Sequence, residues 1–194
     1  MLALVALENW YITAVDVKSA FLYGKLEEEI YMEQPEGFKV KGQEHKVCRL
    51  KRALYGLKQA SNAWYKELVK SLELLHFKRL STDTGIFIFR DTNGEFVIII
   101  AYVDDLLIMG KNKSLVDKKK EQFMQKWECR DLGEPSEFLR MRIKRAKGKV
   151  YLDQTTYLEK VLTRFGMMEC KIARTPMVEG YQPLPNPKTA EPQL

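Results

Sequence analysis

Two adjacent carboxylates, which could bind a metal ion, interrupt an apolar run of the sequence. Asp104 and Asp105 stand inside AYVDDLLIMG, whose other residues are mostly those of a buried strand. Successive side chains of a strand face opposite sides, so adjacent aspartates can share a site only where the backbone turns. Two like charges held together raise one pKa unless a cation lies between them, and carboxylate oxygens suit Mg²⁺. The pattern indicates either a magnesium site or a solvated Asp-Asp turn, since aspartate is common in turns.

A third carboxylate has the same setting in a distant part of the chain. Asp16 lies near the end of WYITAVDV, another apolar strand, where an unpaired polar side chain would be costly. Two strand ends that each carry aspartate are what a two-metal phosphoryl-transfer site requires, with ions about 3.5–4 Å apart. We therefore favour the metal site over the plain turn.

The spacing of apolar residues predicts the elements that position these aspartates. A helix is expected at about residues 2–8 before the strand WYITAVDV, and the apolar positions of residues 59–75 recur at helical spacing. GIFIFR and EFVIIIAYV are typical of a hairpin, in which Asn93 and Gly94 supply the positive φ angles of a tight turn. LLIMG then forms a third antiparallel strand, so the acidic pair is expected at the second turn.

Two helices and a further hairpin are predicted beyond the acidic pair. Ser114 followed by Asp117 can cap one helix, and Thr156 with Glu159 forms a capping box for the other. Between them, FLRMRIKR and KVYLDQ form a hairpin around Gly148.

Composition narrows the class of protein. The chain has 194 residues, of which 45% are hydrophobic, and this content predicts a globular core rather than disorder. The net charge of +6 suits a polyanionic partner. The three cysteines are far apart and lack metal-binding spacing, so we interpret them as reduced thiols of an intracellular protein. The apolar segments are too short to cross a bilayer, so no membrane partner is expected.

The order of the motifs is similar to that of a known polymerase family. DVKSAFLYGKLEEEIYMEQPEGF, CRLKRALYGLKQASNAWY and AYVDDLLIMG resemble, in this order and at these separations, the reverse transcriptase of Ty1/copia-type retrotransposons. The resemblance implies an α+β fold, a right-hand polymerase palm whose ferredoxin-like antiparallel sheet has helices on one face. It also implies a palm core at 1–133, with a primer-grip hairpin and the start of a thumb at 134–177. The proline-rich, aperiodic residues 178–194 predict a flexible tail.

The resemblance assigns roles to residues that match the family's motifs. Asp16 and Asp104, with the backbone carbonyl of Val17, correspond to the ligands of two Mg²⁺ ions, for which Mn²⁺ is an implied substitute. Asp105 corresponds to a supporting third catalytic acid. Phe21 corresponds to an aromatic that blocks a ribose 2′-OH, with a core aromatic as the lesser alternative. Gln59 could equally be only a helix-start residue. The implied nucleotide-binding residues are Phe21, Tyr55, Gly56, Gln59, Ala60 and Tyr102, and the implied primer and template contacts are Lys51, Arg52, Lys58, Arg140 and Arg142.

The function that the resemblance implies is RNA-directed DNA polymerase. Such an enzyme adds deoxynucleotides from dNTPs to a primer on an RNA or DNA template. The implied partners include further polyprotein domains (fingers, RNase H and integrase) or a second subunit, in a cytoplasmic virus-like particle or the nucleus. Relative to the family, the chain is expected to lack most of the fingers, and Ser61 and Arg140 replace the usual Pro and Gly. An inactive remnant or a co-opted nucleic-acid-binding module is therefore the alternative, and a Mg²⁺-dependent nuclease or cyclase is a third.

Overall fold

The computed structural model describes residues 1–146, 148–175 and 180. It divides into one compact unit, Met1–Gln154, and a second that begins at Thr155. The helices are α1 (Leu2–Leu7), a 3-10 helix (Ala20–Tyr23), α2 (Ala60–Leu74), α3 (Lys113–Met124) and α4 (Thr155–Arg164). The strands are β1 (Tyr11–Val17), β2 (Tyr31–Glu33), β3 (Val47–Arg49), β4 (Lys78–Arg79), β5 (Ile86–Arg90), β6 (Phe96–Tyr102), β7 (Asp105–Gly110), β8 (Cys129–Gly133), β9 (Glu137–Phe138), β10 (Met141–Ala146) and β11 (Lys149–Asp153).

A six-stranded sheet forms the centre of the first unit. Its strand order is β4-β5-β6-β7-β1-β8, and the paired neighbours run antiparallel. The predicted antiparallel run from β5 to β7 is therefore confirmed. β1 comes from the beginning of the chain and inserts between β7 and β8, which brings its carboxyl end to the acidic turn. Two smaller sheets, β11-β10-β9 and β2-β3, complete the unit.

The two faces of the six-stranded sheet are covered differently. Residues of α2 and α3, such as Trp64 and Phe123, pack with Val15 and Val17 of β1 in one buried cluster. Val5 of α1 belongs to a second cluster, which contains the alternate residues of β1. The expectation of helices on one face therefore holds for α2 and α3 but is wrong for α1, because apolar side chains point to both sides of β1.

The cap of α3 differs from the prediction. The helix begins at Lys113, and the Asn112 side chain accepts a hydrogen bond from the Leu115 amide at 3.1 Å. The Glu95 carboxylate in turn accepts a hydrogen bond from the Asn112 amide group at 2.6 Å, which fixes the cap. Ser114 therefore lies inside the first turn and does not cap the helix.

The turn between β5 and β6 is longer than predicted. Gly94 has a φ of +83°, whereas Asn93 is not among the described residues with positive φ. The carboxylate of Asp91 accepts hydrogen bonds from the amides of Asn93 and Glu95 at 2.9 and 2.8 Å. A three-residue loop with glycine in the left-handed position explains this geometry better than a two-residue turn.

The second unit contributes a single amphipathic helix to the described chain. α4 begins at Thr155, so Thr156 lies in its first turn rather than at the predicted capping position. The helix is followed by Gly166 at a φ of +63°, and the Met167 amide donates to the Leu162 carbonyl at 2.8 Å. Apart from Gly180, the predicted tail lies outside the described residues. No helix of the described part is long and apolar enough to span a membrane.

Candidate active site

Four polar side chains form a row across the central sheet. Asp16 of β1 lies opposite Asp105 of β7, Asp105 lies opposite Tyr102 of β6, and on its other side Asp16 lies opposite Arg130 of β8. Directly opposed residues of an antiparallel pair share a face of the sheet. The sheet therefore brings the predicted aspartates of two distant segments together on one face. We call Tyr102, Asp105, Asp16 and Arg130 the polar row.

Asp104 lies beside this row in a strained turn. Val103 and Asp104 join β6 to β7, and Val103 has a φ of +57°. In a two-residue hairpin turn a positive φ at the first central position favours glycine, and a non-glycine residue held there costs about 1–3 kcal/mol. The turn is fixed by two hydrogen bonds: Val17 N–H donates to the Asp104 carbonyl at 2.9 Å, and the Trp64 indole donates to the Val103 carbonyl at 2.6 Å.

The three carboxylates repel one another electrostatically. Burial raises the pKa of Asp105, and the negative charges of Asp104 and Asp16 raise it further. Burial also raises the pKa of the Tyr55 phenol, again with contributions from Asp104 and Asp16. Tyr55 and the acidic group are therefore close enough to interact. A cation placed among these groups would reverse the repulsion.

The donor set fits a hard divalent cation in its chemistry. Asp16, Asp104 and Asp105 offer only oxygen atoms, and Mg²⁺ keeps several waters while taking one or two carboxylates and a substrate phosphate. Within residues 1–146, 148–175 and 180, no three His, Cys, Asp or Glu side chains are grouped closely enough to hold a metal ion. The chain thus presents the carboxylates on one face without a preformed three-ligand cage. The role of the Val17 carbonyl stays a prediction.

Two of the predicted nucleotide residues, Phe21 and Tyr55, contact each other near the aspartates. Phe21 lies in the 3-10 helix after β1, and its ring centroid is 4.7 Å from that of Tyr55. Phe21 also packs against the core, so both readings of this residue agree with its position. Gln59 precedes α2 but its side chain makes no capping hydrogen bond. Three others remain predictions: Gly56 has a φ of +96°, Ala60 is buried, and Tyr102 is exposed.

The predicted primer and template residues differ in their environments. Lys51, Lys58 and Arg140 are exposed, and Arg52 forms a backbone bridge with Lys25. Arg142 donates from Nε and Nη2 to the Asp153 carboxylate at 3.1 and 2.9 Å, which ties it into the β10–β11 hairpin.

The backbone of Arg140 suits glycine, the residue that the resemblance led us to expect at this position. Its φ is +62°, in the left-handed region that glycine adopts without cost. Arginine at this position places a cation in the turn at the cost of backbone strain.

Arg130 was not predicted from the sequence. It stands in the short segment CRDLG, where alternation of apolar and polar residues is too weak to reveal a strand. Its relation to Asp16 depends on the β1–β8 register, which shifts at a bulge between Ala14 and Val15. A pairing of this kind is set by long-range packing, so no local signal could have found it.

An antiparallel sheet with two aspartate-bearing strand ends is compatible with a reverse transcriptase domain. A sequence model of the family described as reverse transcriptase (RNA-dependent DNA polymerase) matches residues 1–179. The chain therefore belongs to the reverse transcriptase family, as the motifs indicated.

The curated relatives are polyproteins of Ty1/copia-type transposons. The chain is 41% identical over 179 residues to the retrovirus-related Pol polyprotein from transposon TNT 1-94 of Nicotiana tabacum, covering 91% of this chain and 14% of that protein. It is 37% identical over 180 residues to the Pol polyprotein from transposon RE1 of Arabidopsis thaliana, covering 93% and 12%. It is 34% identical over 157 residues to the transposon Ty1-GR1 Gag-Pol polyprotein of Saccharomyces cerevisiae, covering 76% and 8%. The chain thus spans a small part of each of these relatives.

Proposed function

We propose that this chain is the right-hand palm of a Ty1/copia-type reverse transcriptase, with the start of the thumb. In this proposal it adds deoxynucleotides to the 3′-OH of a primer paired with an RNA or DNA template. The single observation that carries the proposal is the opposition of Asp16 and Asp105 on neighbouring strands, with Asp104 at the adjoining turn. The family match over residues 1–179 agrees with it.

In this proposal the residues of the site have separate roles in metal and nucleotide binding. Asp16 and Asp104, with the Val17 carbonyl, would hold two Mg²⁺ ions, which supply charge stabilisation for the attacking and leaving oxygens when they are bound. Phe21 and Tyr55 form one aromatic contact beside the acidic group, and this surface suits the deoxyribose of the incoming nucleotide. Gln59 and Ala60 at the start of α2 would complete the nucleotide site.

The cations of the chain would bind the nucleic acid. Lys51, Lys58 and Arg140 are exposed, and phosphate contacts from such residues position a duplex without reading its sequence. Arg130 would add a positive charge beside Asp16, in reach of substrate phosphates. The other polyprotein domains named above would act as partners in the complete enzyme.

Primer extension tests this function. The assay contains an RNA template, a DNA primer, dNTPs and Mg²⁺ or Mn²⁺, and compares the chain with Asp104→Asn and with Asp83→Asn. Asp83 is an exposed loop aspartate that accepts a hydrogen bond from the Gly85 amide, so its variant is the matched control. Extension that persists in Asp83→Asn and is lost in Asp104→Asn supports the proposal.

A nucleic-acid-binding module without catalysis is the second candidate, which the exposed cations favour. It predicts that primer–template binds with an affinity that falls as salt rises, while no extension occurs. Salt-insensitive binding would exclude this candidate, because phosphate contacts release counterions.

A further inference from the structure

The acidic turn is contacted by a side chain that does not belong to the sheet. Trp64 of α2 is 1% exposed, and its indole Nε1 donates to the Val103 carbonyl at 2.6 Å. The next carbonyl, that of Asp104, accepts from the Val17 amide at 2.9 Å. Two consecutive carbonyl groups of the turn are thus held by different elements, one by α2 and the other by β1.

The backbone of Val103 requires an external restraint. Its φ of +57° is an outlier for a β-branched residue, so the conformation persists only when its surroundings impose it. A cleft of about 350 Å³ borders Val103 between α2 and β6, so side-chain packing around this residue is incomplete on that side of the turn. On this side of the turn, the hydrogen bond from the buried indole holds the Val103 backbone directly.

The position of the indole is itself fixed by two aromatic neighbours. The ring centroid of Trp64 lies 5.0 Å from that of Trp127, in an edge-on contact, and 6.0 Å from that of Tyr23. Tyr23 ends the 3-10 helix that follows β1, and Trp127 comes just before β8. The cluster therefore joins the segment that follows β1, the strand of Asp16, to the segment that precedes its neighbour β8.

We propose that Trp64 is a positioning residue of the acidic turn: its N–H keeps Val103 in the left-handed region and so fixes Asp104 and Asp105 relative to Asp16. Any consequence for polymerisation rests on the proposed function. The position of the turn does not, and it can be measured in the chain without substrate or metal.

Trp64→Phe tests the proposal because it removes the N–H and keeps an aromatic ring. Amide hydrogen exchange by NMR reports on Val17, whose N–H bonds to Asp104. We expect Val17 to exchange about 3- to 10-fold faster in this variant, relative to the Ile99 amide in the core of the same sheet, which corrects for any change in global stability.

Two further variants separate the hydrogen bond from general packing. Trp127→Phe removes the other indole N–H of the cluster, which donates to Ser71 Oγ at 2.8 Å and does not contact the turn. It should leave the Val17 exchange ratio unchanged. In a Val103→Gly background, where glycine adopts the positive φ without strain, Trp64→Phe should accelerate Val17 exchange by less than about twofold.

The proposal would be overturned by an unchanged Val17 ratio in Trp64→Phe, or by equal acceleration in Trp127→Phe. An undiminished effect in the Val103→Gly background would also overturn it, since no strained residue would then be restrained. If the chain extends no primer, the proposed function fails while the exchange result still decides the role of Trp64. If it does extend primers, Trp64→Phe should lower kcat and leave the KM for dNTP unchanged.

Discussion

Asp16 and Asp105 lie directly opposite each other on neighbouring antiparallel strands, although 88 residues lie between them in the sequence. Their shared face also carries Tyr102 and Arg130, so the sheet gathers a polar row that local sequence does not contain. When no cation is bound, repulsion between the two opposed carboxylates lowers the stability of the folded chain.

The stability cost of the carboxylates should depend on pH. Burial, with Asp104 and Asp16, raises the pKa of Asp105, so the folded chain holds this proton more tightly than the unfolded chain does. Stability therefore falls as pH rises from the unfolded pKa of about 3.9 through the raised folded value. Asp105→Asn is expected to raise the free energy of unfolding at pH 7, and this gain should shrink at the lowest pH where the chain stays folded. Urea unfolding at both pH values measures it.

Asp131→Asn is the matched control, because the pKa of Asp131 is lowered rather than raised and its variant should lose stability at pH 7. Lys120 donates to the Asp131 carboxylate at 2.7 Å and lowers the pKa of Asp131. The stability of this pair is present above the unfolded pKa and is lost as pH falls through the folded one. The variant should lose about 0.2–1 kcal/mol at pH 7, as exposed ion pairs do. A loss of stability at pH 7 in Asp105→Asn as well would contradict the account of the carboxylate repulsion.

Lys119 should be a structural cation of the first unit. It is 6% exposed, its Nζ donates to the Leu75 carbonyl at 3.0 Å, and it lies 3.5 Å from the centroid of Phe89. Lys119→Met keeps most of the stem but leaves the carbonyl at the end of α2 unpaired, so we expect a loss of about 1.5–3 kcal/mol by urea unfolding. Lys118→Met, at an exposed neighbouring position, should stay within about 0.5 kcal/mol. Equal losses in the two variants would show that Leu75 needs no partner.

The Cys129 thiol should react slowly with alkylating reagents. Burial, then the negative charges of Asp16 and Glu128, raise its pKa to about 11. At pH 8 only about 1 in 1,000 molecules would carry its thiolate, against about a quarter for an ordinary thiol of pKa about 8.5. Iodoacetamide labelling followed by mass spectrometry should therefore modify the exposed Cys170 about 100-fold faster or more. Comparable labelling of Cys129 in the folded chain would contradict the burial of this thiol, and unfolding should abolish the difference.

Phe21 should control the choice of sugar if the chain polymerises. Its ring contacts Tyr55 next to the acidic group, and Phe21→Val would open space for a 2′-OH. We expect the ratio of ribonucleotide to deoxynucleotide incorporation to rise by about tenfold or more in single-nucleotide extension. Phe89→Val, which changes another half-buried core aromatic, should reduce stability without changing that ratio. An unchanged ratio in Phe21→Val would favour its reading as a core aromatic.

Local patterns predicted the elements that depend on nearest neighbours. The helical spacing of residues 59–75 became α2, and the apolar runs around the acidic pair became β6 and β7. The errors at Ser114 and Asn93 arose because one side chain nearby, Asn112 or Asp91, offered the backbone a better hydrogen bond. Several neighbouring polar residues suit a cap or a turn equally well, so sequence pattern alone does not show which of them makes the local hydrogen bond.

The grouping of the candidate acidic residues could be predicted from the sequence, but the side chains that hold the turn and flank the row could not. Asp16, Asp104 and Asp105 stand out because charges are costly in apolar strands. Trp64 follows the helical pattern of core residues and gives no sign of its hydrogen bond to Val103. Arg130 is one of many surface cations until the register of β8 is known. Both depend on pairings between distant segments, which periodicity does not encode.

The measurement that tests the central claim most directly is primer extension by Asp16→Asn. If Asp16 and the acidic turn form one nucleotidyl-transfer site, this variant should lose extension as completely as Asp104→Asn does, while it keeps the fold and the primer–template affinity of the unmodified chain. Extension by Asp16→Asn at the rate of the unmodified chain would contradict the claim that the two opposed strand ends form one site.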